Sequence, residues 1–80
     1  MEVLFISKMD EDSLYKILTI TSQYPILTIS ETGGYAQKGV HINFYLSEEG
    51  TIRFEINKRA AKKSKLHISH LLLRIANIVK

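Results

Sequence analysis

Six polar side chains occupy alternate positions on two neighbouring predicted strands, over residues 40–46 and 51–57. Alternate residues of a strand point to the same face of a sheet, so the six side chains form one row. A guanidinium and a carboxylate beside amide, imidazole and phenol groups could bind a polar ligand or a loop of a partner protein. A hydrogen-bonded structural network is the competing interpretation, because cross-strand polar pairs also stabilise sheets. The six residues are His41, Asn43, Tyr45, Arg53, Glu55 and Asn57.

Residues for catalysis or metal binding are not found at a recognisable spacing. His67 and His70 could bring two imidazoles together, but no carboxylate lies near them and a catalytic zinc site normally has three protein ligands. The serines have no base at a known spacing, and Glu48 and Glu49 are neighbours in a turn rather than a converging acid pair. No glycine-rich phosphate motif is present. We therefore predict no enzyme activity, no catalytic or metal-binding residues and no cofactor.

Charge is distributed unevenly along the chain, which has a net charge of +3. All acidic residues precede Lys58, and the charged residues from Lys58 onward are lysines and arginines only. Lys58, Lys62 and Lys65 recur at the spacing of one helix face, which could follow the phosphates of a nucleic acid. A solvated basic helix is the alternative, and no RNA-binding signature accompanies the cluster. The candidate nucleic-acid contacts are Lys58, Arg59, Lys62, Lys63 and Lys65.

The composition is that of a folded domain, with 45% hydrophobic residues and a single proline among 80 residues. The lack of cysteine excludes a disulfide scaffold and a thiol nucleophile. No apolar run approaches the roughly 18 residues of a membrane span. The first six residues lack the basic start of a signal peptide. We expect one domain over residues 1–80, in the cytoplasm or as a mature or excised piece of a longer chain.

Hydrophobic periodicity predicts the elements that position these residues. The apolar run 3–6 predicts a strand with both faces buried. An acidic start, with Asp10 or Asp12 as the cap, predicts a helix that ends near Ser22, because Pro25 follows. Residues 26–29 predict a second strand, parallel to the first. A glycine-punctuated loop over 30–39 follows it, at a position where α/β sheets commonly bind ligands.

The next two strands form a predicted hairpin. Residues 48–50 suit a three-residue loop with Gly50 in the left-handed conformation, which fixes the strand register. In that register the side predicted to face the core pairs Leu46 with Ile52, Phe44 with Phe54 and Ile42 with Ile56. The polar side pairs Tyr45 with Arg53, Asn43 with Glu55 and His41 with Asn57.

Two helices complete the predicted order β-α-β-β-β-α-α. Asn57 is expected to cap a helix over 58–64 rather than to bind a ligand. Ser69 is expected to cap a last helix whose apolar stripe reaches Val79. The fold class is therefore α/β, with a small mixed sheet that contains a parallel pair and an antiparallel hairpin. If the helices cover one face of this sheet, a partner chain or the rest of a larger fold must cover the other.

Several segments together resemble a known family in their order and spacing. They are residues 3–7, 25–30, 42–44 and 52–57, the paired alanines at 60–61, and residues 66–76. The chain resembles the C-terminal half of the YfiR-like family of bacterial domains. The resemblance implies a partial YfiR-like domain over 1–80, a Rossmann-like half-domain. It also implies a tendency to form homo-oligomers.

The resemblance implies regulation rather than chemistry. Well-known family members are periplasmic proteins that bind and repress an inner-membrane diguanylate cyclase, and so restrain cyclic-di-GMP signalling. Similar domains are input modules of membrane sensor proteins. We therefore expect a periplasmic location and a protein partner, and nucleic acid is the less favoured partner. The candidate contact residues are Gly33, Gly34, Tyr35, Gly39, His41, Asn43, Tyr45, Arg53 and Glu55, and alanine at Arg53 or Tyr35 is expected to weaken binding without unfolding the chain.

The sequence departs from the family pattern at several positions. A methionine is common at the position of His41, and a glycine is often found at that of Val40. An alanine–glycine pair usually occupies the positions of Ser64 and Lys65. The cysteines of some members are missing, so the resemblance implies no disulfide here.

Overall fold

A mixed five-stranded sheet organises the residues that the computed structural model describes, which are 2–67 and 77–79. The strand order in the sheet follows the chain, β1-β2-β3-β4-β5. The elements are β1 (Glu2–Ile6), α1 (Glu11–Thr21), β2 (Ile26–Ser30), α2 (Tyr35–Lys38), β3 (Ile42–Leu46), β4 (Ile52–Asn57), α3 (Lys58–Lys63) and β5 (Asn77–Val79). The predicted α/β class, with parallel and antiparallel strand pairs, is confirmed.

The register of the β3–β4 hairpin is the one predicted from its loop. Leu46 lies opposite Ile52, and Tyr45 lies opposite Arg53. Gly50 has a φ of 81°, the left-handed conformation that a three-residue hairpin loop requires. A short loop therefore determines the cross-strand neighbours of both strands.

Helix α1 begins and ends where the sequence predicts. A carboxylate oxygen of Asp10 accepts a hydrogen bond from the backbone N–H of Ser13 at 2.8 Å. This hydrogen bond holds the pKa of Asp10 below its usual value. The helix ends at Ser22, three residues before Pro25. Leu14 and its apolar neighbours on α1 pack against Ile6 of β1, which forms the core on this side of the sheet.

The glycine-punctuated segment after β2 contains the short helix α2, which the sequence did not predict. Gly34 and Gly39 bracket this helix with φ values of 86° and 123°. Its Tyr35 is buried, and the hydroxyl of that residue both accepts from the backbone N–H of Met9 and donates to its carbonyl, at 2.9 and 3.0 Å. The helix depends on this contact across 26 residues of chain, which local sequence patterns do not reveal.

The prediction that β1 has both faces buried is wrong. The strand lies at one edge of the described sheet, and the side chains of Val3 and Phe5 are 58% and 53% exposed. Ile6, at the end of β1, reaches the core beneath α1. A continuous apolar run is typical of a central parallel strand, but here the run forms an edge.

The predicted last helix falls mostly outside the described residues. Its predicted end, which includes Ile78 and Val79, is instead strand β5, parallel to β4. Ile78 lies opposite Ile56, and Val79 lies opposite Asn57. Branched residues suit a strand, and pairing with β4 satisfies backbone groups that a helix would have satisfied locally.

The strand registers place the polar and apolar residues of the sheet on opposite faces. We call Thr28, Ser30, His41, Asn43 and Glu55 the polar face; the contacts of His41 and the β2–β3–β4 registers define it. Their neighbours Ile29, Ile42 and Ile56 align on the other side, which we call the apolar face. All three described helices contact residues on the polar side.

The prediction that the apolar side of the hairpin forms the core is therefore correct only near Ile42 and Ile56, which are buried. Leu46 and Ile52, at the far end of the hairpin, are 68% and 72% exposed. Alternation identifies the residues that share a face, but the positions of the helices decide which face is covered.

Candidate interaction surface and the polar network behind it

His41 links the sheet to the end of α3. Its Nδ1 accepts a hydrogen bond from the backbone N–H of Thr28 at 3.0 Å, so this nitrogen carries no proton. Nε2 then carries the proton and donates to Oγ of Ser64, also at 3.0 Å. Burial lowers the pKa of His41 below its usual 6.5, so the ring is neutral at pH 7.

The contact between Ser64 and His41 is structural rather than catalytic. A serine nucleophile needs a histidine nitrogen that accepts its proton. In this pair the histidine nitrogen is the donor, and both side chains are buried. The two residues are 23 positions apart, so their spacing in the sequence gave no signal of the contact.

Asn43 is the centre of a second set of hydrogen bonds on the polar face. Its Oδ1 accepts from the Ser30 hydroxyl at 2.6 Å, and its Nδ2 donates to the Glu55 carboxylate at 3.2 Å. Gln37 of α2 donates to the other oxygen of that carboxylate at 3.3 Å. These contacts connect three strands and one helix, which agrees with the structural interpretation of this part of the polar row.

Asn57 caps α3 as predicted and also holds α2. Its Oδ1 accepts from the backbone N–H of Ala60 at 2.9 Å. Its Nδ2 donates to the carbonyl of Ala36 at 2.8 Å. One buried amide thus satisfies backbone groups of two helices, and a role in ligand binding is not needed to explain it.

The candidate contact residues separate into buried and exposed groups. Tyr35, His41 and Asn43 are buried and hydrogen-bonded, so their side chains act inside the fold. Gly39 is half-buried, and a Cβ placed on it would lie 3.4 Å from Leu18. Among the others, Glu55 and Tyr45 are half-buried, while Arg53, Gly33 and Gly34 are exposed. For these accessible residues a contact role stays a prediction.

The five candidate nucleic-acid contacts are all exposed, but they do not form one helical row. Helix α3 ends at Lys63, and Lys65 follows in the left-handed conformation with a φ of 60°. The prediction that Lys65 shares a helix face with Lys58 is therefore wrong. Arg59 and Lys63 line an open groove of about 990 Å³ that faces α1, where acidic residues also line it. Mixed charge does not suit a track for phosphates.

Metal ligands do not converge in the part of the chain that the structure describes. No group of three His, Cys, Asp or Glu side chains comes together there. His67 is exposed, and His70 lies outside the described residues.

The exposed apolar side chains of the hairpin cluster on its apolar side, toward the loop that joins β3 and β4. We call Phe44, Leu46, Ile52 and Phe54 the hairpin surface. Leu46 and Ile52 are opposite each other, and the rings of Phe44 and Phe54 are 5.9 Å apart between centroids. The alternation of apolar residues in the sequence identifies these four residues, but it predicted that they lie in the core. A cluster of exposed apolar side chains commonly marks a site of protein contact.

Comparison with known protein families identifies the family of this chain. The family model described as YfiR/HmsC-like matches residues 1–77. The chain belongs to this family. No curated protein matches it at a significant level. Among the described helices of this YfiR/HmsC-like chain, none has the length and apolar character needed to cross a membrane.

Two of the departures from the pattern expected of YfiR-like domains have a structural explanation, and a third is a position of backbone strain. His41 and Ser64 occupy positions where methionine and alanine are expected, and they contact each other at 3.0 Å. A hydrogen-bonded pair thus stands where two apolar side chains would meet. Lys65 has a φ of 60° at a position where glycine is expected. Glycine adopts this conformation at no steric cost, whereas lysine is strained there.

Proposed function

We propose that residues 1–80 form one partial YfiR-like domain that regulates cyclic-di-GMP signalling by protein–protein contact and has no enzyme activity. Membership of the YfiR/HmsC-like family supports regulation rather than catalysis. The observation that carries the proposal is the hairpin surface, where Leu46 and Ile52 project into solvent.

The energetic argument rests on the apolar area of the hairpin surface. Moving one large aliphatic side chain fully out of water contributes about 1.5–3 kcal/mol. Leu46 and Ile52 retain most of their area in the free chain, so a partner that covers them gains a large part of this energy. Few residues normally supply most of the binding energy of an interface, and they lie at its centre.

A polar rim adjoins the hairpin surface. Arg53 lies opposite Tyr45 on the other side of the same two strands. A partner that holds the end of the hairpin from both sides would contact these residues as well as Ile52. Two accessible members of the predicted contact set, Tyr45 and Arg53, thus join the apolar centre in one binding site. Polar rims around apolar centres are usual in protein interfaces.

The finer proposal concerns the partner. We propose a periplasmic location and a membrane diguanylate cyclase that the domain represses. A signalling module fused to the same chain is the other arrangement known in YfiR-like domains. A separate repressor and a fused input module are distinguished by whether the domain lowers cyclic-di-GMP when it is supplied as a separate protein.

The test supplies the chain to the periplasm of the bacterium that encodes it, in a strain that lacks its own copy. We expect cellular cyclic-di-GMP to fall with the native sequence and to stay high with Ile52→Lys. The matched control is Ile20→Lys on α1, which is 61% exposed but lies away from the hairpin. This control should lower cyclic-di-GMP as the native chain does.

Two results would contradict the proposal. If the folded native chain leaves cyclic-di-GMP unchanged, it does not repress a cyclase as a separate protein. If Ile52→Lys and Ile20→Lys behave alike, the hairpin surface is not the binding site. Circular dichroism of each variant shows whether a loss of effect reflects unfolding instead.

A further inference from the structure

The pairing of β2 with β3 is shorter than the pairings on either side of it along the chain. Two residue pairs are in register between these strands, whereas β1 with β2 and β3 with β4 each align five. The side chain of His41, just before β3, extends the short pairing. Its Nδ1 accepts the backbone N–H of Thr28 at 3.0 Å, and the hydroxyl of Thr28 accepts the backbone N–H of His41 at 2.9 Å. The imidazole thus takes the place of a backbone carbonyl in the β2–β3 ladder.

The same ring holds the end of α3. Its Nε2 donates to the hydroxyl of Ser64 at 3.0 Å, and Ser64 is the residue that caps the C-terminal end of this helix. We call Thr28, His41 and Ser64 the His41 junction. All three residues are buried. One neutral ring therefore holds both the start of β3 and the end of α3.

The geometry of the His41 junction requires a neutral imidazole. A protonated ring carries a hydrogen on both nitrogens, so Nδ1 would become a donor that faces the N–H donor of Thr28. The hydroxyl of Thr28 lies 3.0 Å from Nδ1 and can accept this hydrogen, but the backbone N–H of Thr28 would still lose its acceptor. Buried backbone N–H groups are rarely left unpaired. Protonation and the closed junction are therefore in conflict.

No described carboxylate is hydrogen-bonded to the ring, whose partners are Thr28, Ser64 and the backbone of Ala60. Other titratable side chains share the groove or the polar face with His41, and all of them are exposed or half-buried. Three are acidic and three are basic, so their charges balance, and burial is what holds the pKa of His41 below 6.5. They are Glu11, Asp12 and Tyr15 of α1, Lys38 of α2, Glu55 of β4, and Arg59 and Lys63 of α3.

The open groove between α1 and α3 gives the ring a second position. His41 is among the residues that line this groove of about 990 Å³. A ring that turns away from Thr28 and Ser64 into the groove regains contact with water, which a charged imidazole requires.

We propose that acidification opens the His41 junction. Nδ1 takes up a proton from solvent, the imidazole turns into the groove, and the start of β3 and the end of α3 are released from β2 and from the ring. The hairpin surface lies at the other end of β3. The opening requires no partner, so it is independent of the proposed function.

The size of the effect follows from the titration of one group. In the open junction the ring is in water, where an imidazole has a pKa of about 6.5. The open form therefore binds a proton at a higher pH than the closed form, and acidification favours it. Between pH 8 and pH 5 the ratio of open to closed molecules should rise by up to about 30-fold, and by no more than about tenfold per pH unit.

Hydrogen exchange of single backbone amides, followed by NMR on the native chain, tests this opening. The N–H of Thr28 is bonded to Nδ1, so its protection factor should fall by up to about 30-fold from pH 8 to pH 5. The amide of Ser64 should lose protection with it. Low concentrations of urea separate local opening from global unfolding, because local opening exposes little surface. Exchange at Thr28 should therefore be insensitive to urea, whereas amides that pair β3 with β4 should exchange faster as urea is added.

Two variants assign the titration. His41→Gln has no group that titrates in this range, so the pH dependence at Thr28 should disappear. His67→Gln is the matched control at an exposed histidine, and it should behave as the native chain does.

Four results would overturn the proposal. They are protection at Thr28 that does not change with pH, equal urea dependence at Thr28 and in the hairpin, protection at Ser64 that does not fall with that of Thr28, and a pH dependence that persists in His41→Gln. If His41→Gln does not fold, the ring nitrogens of the native chain decide instead. Their NMR shifts at pH 7.5 should show the hydrogen on Nε2, and a hydrogen on Nδ1 would exclude the junction.

Discussion

The base of the polar side and the tip of the apolar side of the β3–β4 hairpin reverse the usual relation between polarity and burial. On the polar side, His41 and Asn43 are 2% and 0% exposed. On the apolar side, Leu46 and Ile52 project into solvent. The polar residues can be buried because they are hydrogen-bonded: no buried side-chain polar atom in the described residues lacks a partner.

This comparison teaches that the two sides serve different purposes. The polar side fixes the positions of α2 and α3 through specific hydrogen bonds, so changes there should affect stability. The hairpin surface contributes little to the described core, so changes there should affect binding. Three predictions test this distinction and a fourth concerns the end of α3, from the largest expected effect to the smallest.

The largest effect is expected at Tyr35, which holds α2 over the polar face. Tyr35→Ala removes a buried ring and two hydrogen bonds to Met9, and should cost about 3–5 kcal/mol of unfolding free energy. Ile52→Ala on the hairpin surface is the matched comparison and should change stability by about 0.5 kcal/mol or less. Urea denaturation measures both, and similar losses would remove the distinction between the two sides.

This prediction also revises the expectation for Tyr35 as a contact residue. Because the ring is buried, a loss of partner binding in Tyr35→Ala would follow from loss of folding. Arg53→Ala remains the suitable test of contact, since that side chain is exposed.

The second prediction concerns the pair formed by His41 and Ser64. Ser64→Ala removes the hydroxyl acceptor of the imidazole N–H and leaves it only the backbone of Ala60, and His41→Met leaves the buried hydroxyl without its donor. Each should cost about 1–3 kcal/mol. The double variant should lose less than the sum, because an apolar pair has no unsatisfied group at this contact. A double-mutant cycle measures the coupling, and strictly additive losses would show that the hydrogen bond contributes nothing.

The third prediction is a pH dependence that arises from burial of His41. Its pKa in the folded state is below 6.5, so the unfolded chain binds more protons between the two values. The contribution is fully present above pH 6.5 and is lost as the pH falls toward the folded pKa. The slope from this one group is at most about 1.4 kcal/mol per pH unit. Unfolding curves from pH 7.5 to 5 should show it, and His41→Gln should reduce it.

The smallest effect is expected at Lys65, which ends α3 in the left-handed conformation. Lys65→Gly removes the steric cost at this φ and should stabilise the chain by about 0.5–1 kcal/mol. Lys62→Gly, at an exposed position within α3, is the matched control and should destabilise the chain by a similar amount. Thermal denaturation compares the two variants, and a destabilised Lys65→Gly would contradict this explanation.

Local chemistry made part of the fold predictable. The cap at Asp10 and the end of α1 follow from residues within one turn of the helix, and Gly50 determines the hairpin register. Helix α2 was not predictable, because Tyr35 finds its partner at Met9. The contact of His41 with Ser64 was hidden for the same reason. Both depend on residues that are distant in sequence.

The sequence by itself determined which residues share a face, because alternation and turn geometry act over a few residues. It also carried the family resemblance that the family match confirmed. Only the tertiary structure decided that the described helices cover the polar side, that β1 lies at an edge of the described sheet and that residues 77–79 join this sheet. The physical reason is that covering a face, or pairing a strand, depends on where distant segments lie in space.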